Sequence, residues 1–349
     1  MRGLIVFLLL AMAGMLVLTL QAYLVFLLED FLGSSPSNQS QMHDVSGDIR
    51  PPLDCDSDPS ASRKVLDRIA VYSPVPQQHD KILCFMMTHD GAHQNKVGAV
   101  METWGSKCDG WLIASNSTDK SLGTTAMQTP ALYTYLWIKL NETVHLIASD
   151  YMDEYDWFFK VDDDTFVIME NLWHFLRIKK SDKEIPQIFG YLLTDQFWRD
   201  QQNYFDIDTN KGFGEHFLAR VRNESDKVDY LAGGSGYIMN RAYLRKLIVA
   251  LESNLTLYGE VPEDMAHGAT MLAHGIQPGN SRDHGGREYF IPESPALWDV
   301  RHQAHIRAGL VAPNQRCCAH YTVAFHHITP SMMRYMYDQF YLCRTEPLD

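Results

Sequence analysis

The stretch DWFFKVDDDTFVIMENL, Asp156 to Leu172, sets an apolar run directly against three adjacent carboxylates. Trp157–Val161 (WFFKV) reads as a buried β-strand and Asn171–Ile178 (NLWHFLRI) as a helix. Between them, Asp162, Asp163 and Asp164 fall where a buried strand ends. Neighbouring carboxylates repel one another, and the end of a buried strand is a costly place for them. A divalent cation removes that cost. Carboxylate oxygens suit hard cations such as Mn²⁺ or Mg²⁺, which in turn bridge phosphate oxygens. The plain alternative is a solvated acidic turn, and a bare D-x-D decides little. The flanks WFFKV and TFVIM favour function, because they fix the carboxylates at a strand terminus.

Outward from this turn the chain alternates strands and helices. ILCFMMT, from Ile82, and GWLIAS, Gly110–Ser115, read as strands, with a polar helical stretch between them. Leu132, Leu136, Leu140 and Val144 recur every four residues and predict a helix with one buried face. The pattern predicts an α/β body with a largely parallel central sheet, in which ligands bind at the carboxyl ends of the strands.

The N-terminal part is different. Residues 3–28 carry no charge and are long enough, at about 1.5 Å per helical residue, to cross a ~30 Å hydrocarbon core. A cleaved signal peptide has a shorter apolar region, so an uncleaved signal-anchor is expected. Arg2 precedes the span, Glu29 and Asp30 follow it, and the next Lys or Arg is Arg50. The positive-inside rule then leaves residues 1–2 in the cytosol and the body in a lumen. Residues 29–80, rich in Ser, Pro, Asp and Gln, read as a stem, and 81–349 as the globular body. Asn38, Asn116, Asn141, Asn223 and Asn254 head N-x-S/T sequons, an excess that fits an N-glycosylated secretory protein. The six cysteines can form three disulfides in an oxidising lumen, in any of about fifteen connectivities, and no C-x-x-C pair suggests zinc.

The 349 residues are 46% hydrophobic, enough for a sizeable core, and their formal net charge of −13 argues against nucleic-acid binding. Gly233-Gly234-Ser235-Gly236 precedes a strand-like YIM and lets a ligand approach the backbone, or is a plain turn. Glu263-Asp264 opens a helical stretch, where carboxylates serve as helix caps or as a general base. Trp104 reads as core packing. Trp298 and Tyr289 offer aromatic faces to a sugar, although buried aromatics are commoner.

The acidic segment resembles the D-D-D metal motif of the secretory-pathway β1,3-glycosyltransferases. THDGAHQNKVGAVMETWGSKC (Thr88–Cys108), IFG (Ile188–Gly190), LAGGSGYIMNRAYL (Leu231–Leu244), PED (Pro262–Asp264), GNSRD (Gly279–Asp283) and RCCAHYTVAFHHI (Arg316–Ile328) follow in the family's order. The C-C pair, S-R-D and F-H point to the core 1 synthase branch, the glycoprotein-N-acetylgalactosamine 3-β-galactosyltransferases. The resemblance covers residues 81–328.

It implies a GT-A nucleotide-sugar-binding fold, Mn²⁺ as cofactor, and UDP-galactose as donor. The acceptor would be a glycoprotein carrying GalNAc on Ser or Thr, transfer would invert the anomeric centre, and the protein would be a type II Golgi membrane protein; a homodimer is allowed. It further implies metal ligation by Asp162, Asp164 and His326, with His327 as the alternative to His326. Donor contacts fall to Asp162, Asp163, Gly233 and Gly234; the aromatic argument above, not the resemblance, offers Trp298 and Tyr289 as acceptor contacts. Asp264 is the first choice as base and Glu263 the second. Cys84 with Cys108 and the vicinal Cys317 with Cys318 match family disulfides, which leaves Cys55 and Cys343 unassigned. The lysine that the family pattern sets near Tyr135 is missing. Two other readings compete: a relative using another UDP-sugar, and a non-catalytic chaperone of the synthase, which would lack the acidic motif.

Overall fold

The computed structural model describes residues 55, 61–73, 79–179, 182–195, 228–253, 263–298, 302–303, 306 and 317–343. The expected membrane span, most of the stem, and Asn38, Asn223 and Asn254 lie outside the described residues. Among the described residues no helix is long and apolar enough to cross a membrane.

The strands are β1 (Ile82–Met87), β2 (Gly110–Ser115), β3 (Thr124–Ala126), β4 (Trp157–Val161), β5 (Phe166–Val167), β6 (Ile188–Gly190), β7 (Leu192–Asp195), β8 (Val228–Leu231), β9 (Tyr237–Asn240), β10 (Phe290–Ile291) and β11 (Ala324–Phe325). The helices are α1 (Ala61–Leu66), α2 (Gly98–Glu102), α3 (Leu136–Asp150), α4 (Met169–Lys179), α5 (Arg241–Leu251), α6 (Glu263–Ala273) and α7 (Pro330–Tyr341).

The central sheet has the order β3-β2-β1-β4-β9-β6. The pairs among β3, β2, β1 and β4 are parallel, and β9 runs antiparallel to both β4 and β6. Every side chain of β1 and β4 is buried, as strands covered on both faces require. The mixed α/β body and its largely parallel sheet therefore stand, and they fit a GT-A-like fold. Small sheets β10-β11-β5 and β7-β8 flank it. Helix α3 packs against α5 and α6.

Two expectations need correction. The four-residue stripe holds only in part: Leu132 precedes α3 and is 57% exposed, whereas Trp137, Leu140, Val144 and Ile147 form the buried face. A four-residue step overshoots a helical turn by about 40°, so such a stripe drifts off the core. The body also begins before Lys81. Leu66, Ile69 and Ala70 are buried, and the side chain of Asn171 ties this segment down. Asn171 Nδ2 donates to Ala70 O and to Thr322 O, both at 2.8 Å, and its Oδ1 accepts from Tyr72 N at 2.8 Å. Cys55 is bonded to Cys343, so the start of the body is joined covalently to its C-terminal end.

Candidate active site

The acidic turn leaves the carboxyl end of β4 and is held by hydrogen bonds that spare its carboxylates. Asp162 N donates to Thr165 Oγ1 (3.0 Å), which donates to Gly234 O (2.7 Å). Trp104, fully buried as expected, donates its indole N–H to Thr165 O (3.0 Å). The three side chains then diverge. Asp163 points toward the end of β1, where it accepts from Thr88 Oγ1 (2.8 Å) and Lys96 Nζ (3.0 Å). Lys139 reinforces this by donating to Thr88 O. Burial raises the Asp163 carboxyl above its ordinary range despite Lys96. Asp162 Oδ1 receives Lys160 Nζ at 2.7 Å.

Asp164 meets His326, which lies far along the chain. β5 leaves the acidic turn and pairs antiparallel with β11, Phe166 opposite Phe325, so the residue after β11 arrives beside the turn. His326 Nε2 is 3.0 Å from Asp164 Oδ1 and 3.8 Å from Asp162 Oδ2, and Ile328 N donates to Asp164 O (3.0 Å). Burial alone would raise the Asp164 carboxyl. The hydrogen bond and charge of His326, with Lys96, outweigh it and bring the pKa down to about 2. Burial likewise opposes the charged form of His326, but Asp164 and Asp162 raise its pKa. Asp164, His326 and His327 present one ligand atom each within 4.8 Å of one another. The carboxylate oxygen suits a hard cation such as Mn²⁺, and the imidazole nitrogens add ligands that first-row transition ions accept. His327 holds φ at 56°, in the left-handed region, where a non-glycine residue is uncommon. Asp162 stands outside this trio, its Oδ1 committed to Lys160.

The opposite wall is the first turn of α6. Glu263 is buried, with Oε2 3.1 Å from Lys160 Nζ and Oε1 accepting from Tyr237 OH (2.5 Å). Asp264 is half-buried and accepts from Gly233 N (3.3 Å) and Met265 N (2.8 Å). It thus satisfies a first-turn donor of its own helix while it lines the cavity. Burial first, and the negative charge of Glu263 second, push its pKa up to about 6.

These walls enclose a cavity of about 390 Å³ at the carboxyl edge of the sheet, bordered by all three aspartates, Glu263, Asp264, His326 and His327. Gly233 and Gly234 line it too, for a reason the sequence did not suggest. A Cβ at Gly233 would meet Glu263 Oε2 at 2.9 Å and Lys160 Nζ at 3.1 Å, and one at Gly234 would overlap the His326 ring. The glycines make room for the protein's own site residues. Trp298 and Tyr289 are not brought to the cavity. Trp298 stacks on His302 (4.4 Å between ring centroids), and Tyr289 packs on Phe175 (5.0 Å); both are buried. Among the described residues, Tyr133, 73% exposed, brings a phenol ring to the cavity. Sequence reading also missed Lys96 and Lys160. A lysine inside the otherwise apolar WFFKV was the available signal for the latter.

Cys84–Cys108 and Cys317–Cys318 are bonded, the latter across a cis peptide. Asn116 follows β2, with Oδ1 accepting from Asp90 N (2.8 Å), and Asn141 lies within α3.

A largely parallel sheet with an acidic turn and a histidine at its carboxyl edge defines an α/β protein built to hold a ligand there. Residues 77–281 match the Fringe-like family, and the chain belongs to it. It is also similar to glycoprotein-N-acetylgalactosamine 3-beta-galactosyltransferase 1 of Xenopus laevis, with 26% identity over 266 residues. That match covers 72% of this chain and 64% of the relative, so it spans somewhat less than two thirds of the relative's length.

Proposed function

We propose that this chain is a glycosyltransferase that moves galactose from UDP-galactose in β1,3 linkage onto GalNAc carried by Ser or Thr, with inversion. The observation that carries the reading is the convergence on one cavity of the Asp164–His326 pair on one wall and Asp264 on the other. Similarity to the Xenopus galactosyltransferase supports the donor and acceptor.

Asp164 and His326, with His327 or Asp162 completing the set, would hold Mn²⁺. The ion, when bound, would offset the negative charge that grows on the departing diphosphate. The chain's own residues do the rest. Asp164 and His326 keep each other oriented, and Asp163 is held back by Thr88 and Lys96. Asp264 takes the proton of the acceptor hydroxyl as that oxygen attacks the anomeric carbon and the bond to diphosphate breaks. A carboxyl with a pKa near 6 is a stronger base than an ordinary aspartate and is still ionised at neutral pH. Glu263 is the weaker candidate, because it is buried and neutralised by the Lys160 ammonium, whereas Asp264 is more exposed and accepts only from backbone N–H groups.

The reading includes a type II arrangement in the Golgi: cytosolic residues 1–2, a signal-anchor over 3–28, a stem, and a lumenal catalytic body glycosylated at its sequons. The acidic motif favours an enzyme over a chaperone that lacks one. A relative using another UDP-sugar is the remaining alternative, since one contact can select the epimer. The test is the full chain assayed against a panel of UDP-sugars with a GalNAc-O-peptide. Turnover of UDP-galactose above the others is expected, and preference for a different sugar would replace galactose in the proposal.

A further inference from the structure

Lys160 stands between the two walls of the cavity. Its side chain is 2% exposed. The ammonium lies 2.7 Å from Asp162 Oδ1, 3.1 Å from Glu263 Oε2 and 3.2 Å from Gly233 O. An ammonium has three protons, and these three acceptors take them all. Each acceptor belongs to a different segment: the acidic turn after β4, the first turn of α6, and the loop before β9. The other oxygen of Glu263 accepts from Tyr237, on β9, so this anchor is closed on both sides. A counterion for Glu263 alone would not need to reach Asp162.

We infer that Lys160 is a positioning residue that sets the distance between the acidic turn and Asp264 and keeps Glu263 as an anchor, so that Asp264 faces the acceptor. The inference rests on the glycosyltransferase reading above for its consequence, though not for its geometry. Lys160 touches neither donor nor acceptor in this account. It acts by holding Asp162 and α6 in one frame, and that frame matters in the transition state, when leaving group and nucleophile must be served together. A misplacement of about 1 Å can cost about 10²-fold in rate while binding survives.

Lys160→Met alone would leave Glu263 buried without its cation, a change that can unfold a protein. The informative variant is therefore Lys160→Met combined with Glu263→Gln, which removes both buried charges and leaves the part-exposed Asp162 to solvent. It is made in the full chain and compared with wild type and with Glu263→Gln alone. The measurements are kcat for galactose transfer, affinity for UDP with Mn²⁺ by calorimetry, and amide hydrogen exchange over residues 263–267. We expect kcat to fall about 10²-fold below that of Glu263→Gln, with UDP affinity within about threefold of it. A kcat within about threefold of Glu263→Gln would overturn the inference, and so would a parallel loss of kcat and UDP affinity, which would make Lys160 part of donor binding only. If wild type transfers no sugar, the functional reading falls and exchange decides the bridge. Faster exchange at 263–267 in the double variant supports it, and unchanged exchange overturns it.

Discussion

His326 Nε2 stands 3.0 Å from Asp164 Oδ1 because the pairing of Phe325 with Phe166 delivers the histidine to the acidic turn. The candidate metal centre is thus a product of sheet register, and Gly234 is the contact that leaves room for the ring.

The first prediction concerns that room. His326→Ala should weaken Mn²⁺ binding, and Gly234→Ala should do so almost as much by pushing the ring aside. A loss of about 10–100-fold is usual when a metal ligand's support is disturbed. Titration of Mn²⁺ alongside a thermal melt separates this from unfolding. Unaltered Mn²⁺ affinity in both variants, with folding retained, would remove His326 from the ligand set.

Asp264 as base carries a signature in rate and in pH. Asp264→Asn should lower kcat by about 10²–10⁴-fold while UDP affinity is kept. An amide still accepts a backbone hydrogen bond, so a residue that only capped α6 would tolerate the change. The wild-type rate should climb as pH rises through about 6, where the carboxyl loses its proton, and level off above it. Stability runs the other way. The folded pKa is raised above the ordinary value of 3.8, so the folded state binds this proton more tightly and the ionised group costs stability at neutral pH. Asp264→Asn removes that cost but can accept only one of the two backbone N–H bonds, from Gly233 and Met265, so it should melt close to wild type at pH 7. A kcat within tenfold of wild type would transfer the test to Glu263.

The segment 61–73 should prove part of the body. Asn171→Ala strands the buried Ala70 O and Thr322 O and the half-buried Tyr72 N, and each buried orphan costs about 1–3 kcal/mol. The variant should melt well below wild type. A chain starting at Lys81 should likewise melt below one starting at Leu53. Equal melting temperatures would return these residues to the stem.

The parts of the fold that were legible are those whose burial is local. β2 and β4 match the runs GWLIAS and WFFKV residue for residue, because a strand covered on both faces is apolar throughout. The start of the body was hard to read because the polar, Pro-rich stretch before residue 61 hid the run VLDRIAVY, whose partners Asn171 and His320 lie far along the chain. At the site, the acidic turn and the opening of α6 announced themselves by clustered carboxylates. Trp298 and Tyr289 gave no such cue, since whether an aromatic ring is buried or faces a ligand depends on distant elements such as α4 and the segment around His302. Lys160 was legible in principle. A charge in the middle of a buried strand must have partners, but the strand does not say which.

The most direct test of the whole account is galactose transfer from UDP-galactose to a GalNAc-O-peptide by the full chain, measured with Mn²⁺, after EDTA, and after Mn²⁺ is restored. A β1,3-linked disaccharide is expected with Mn²⁺, none in EDTA, and recovery on adding the ion back. Undiminished transfer in EDTA would contradict the metal site built on Asp164 and His326. The absence of transfer under every metal condition, from a folded protein, would contradict the enzyme itself.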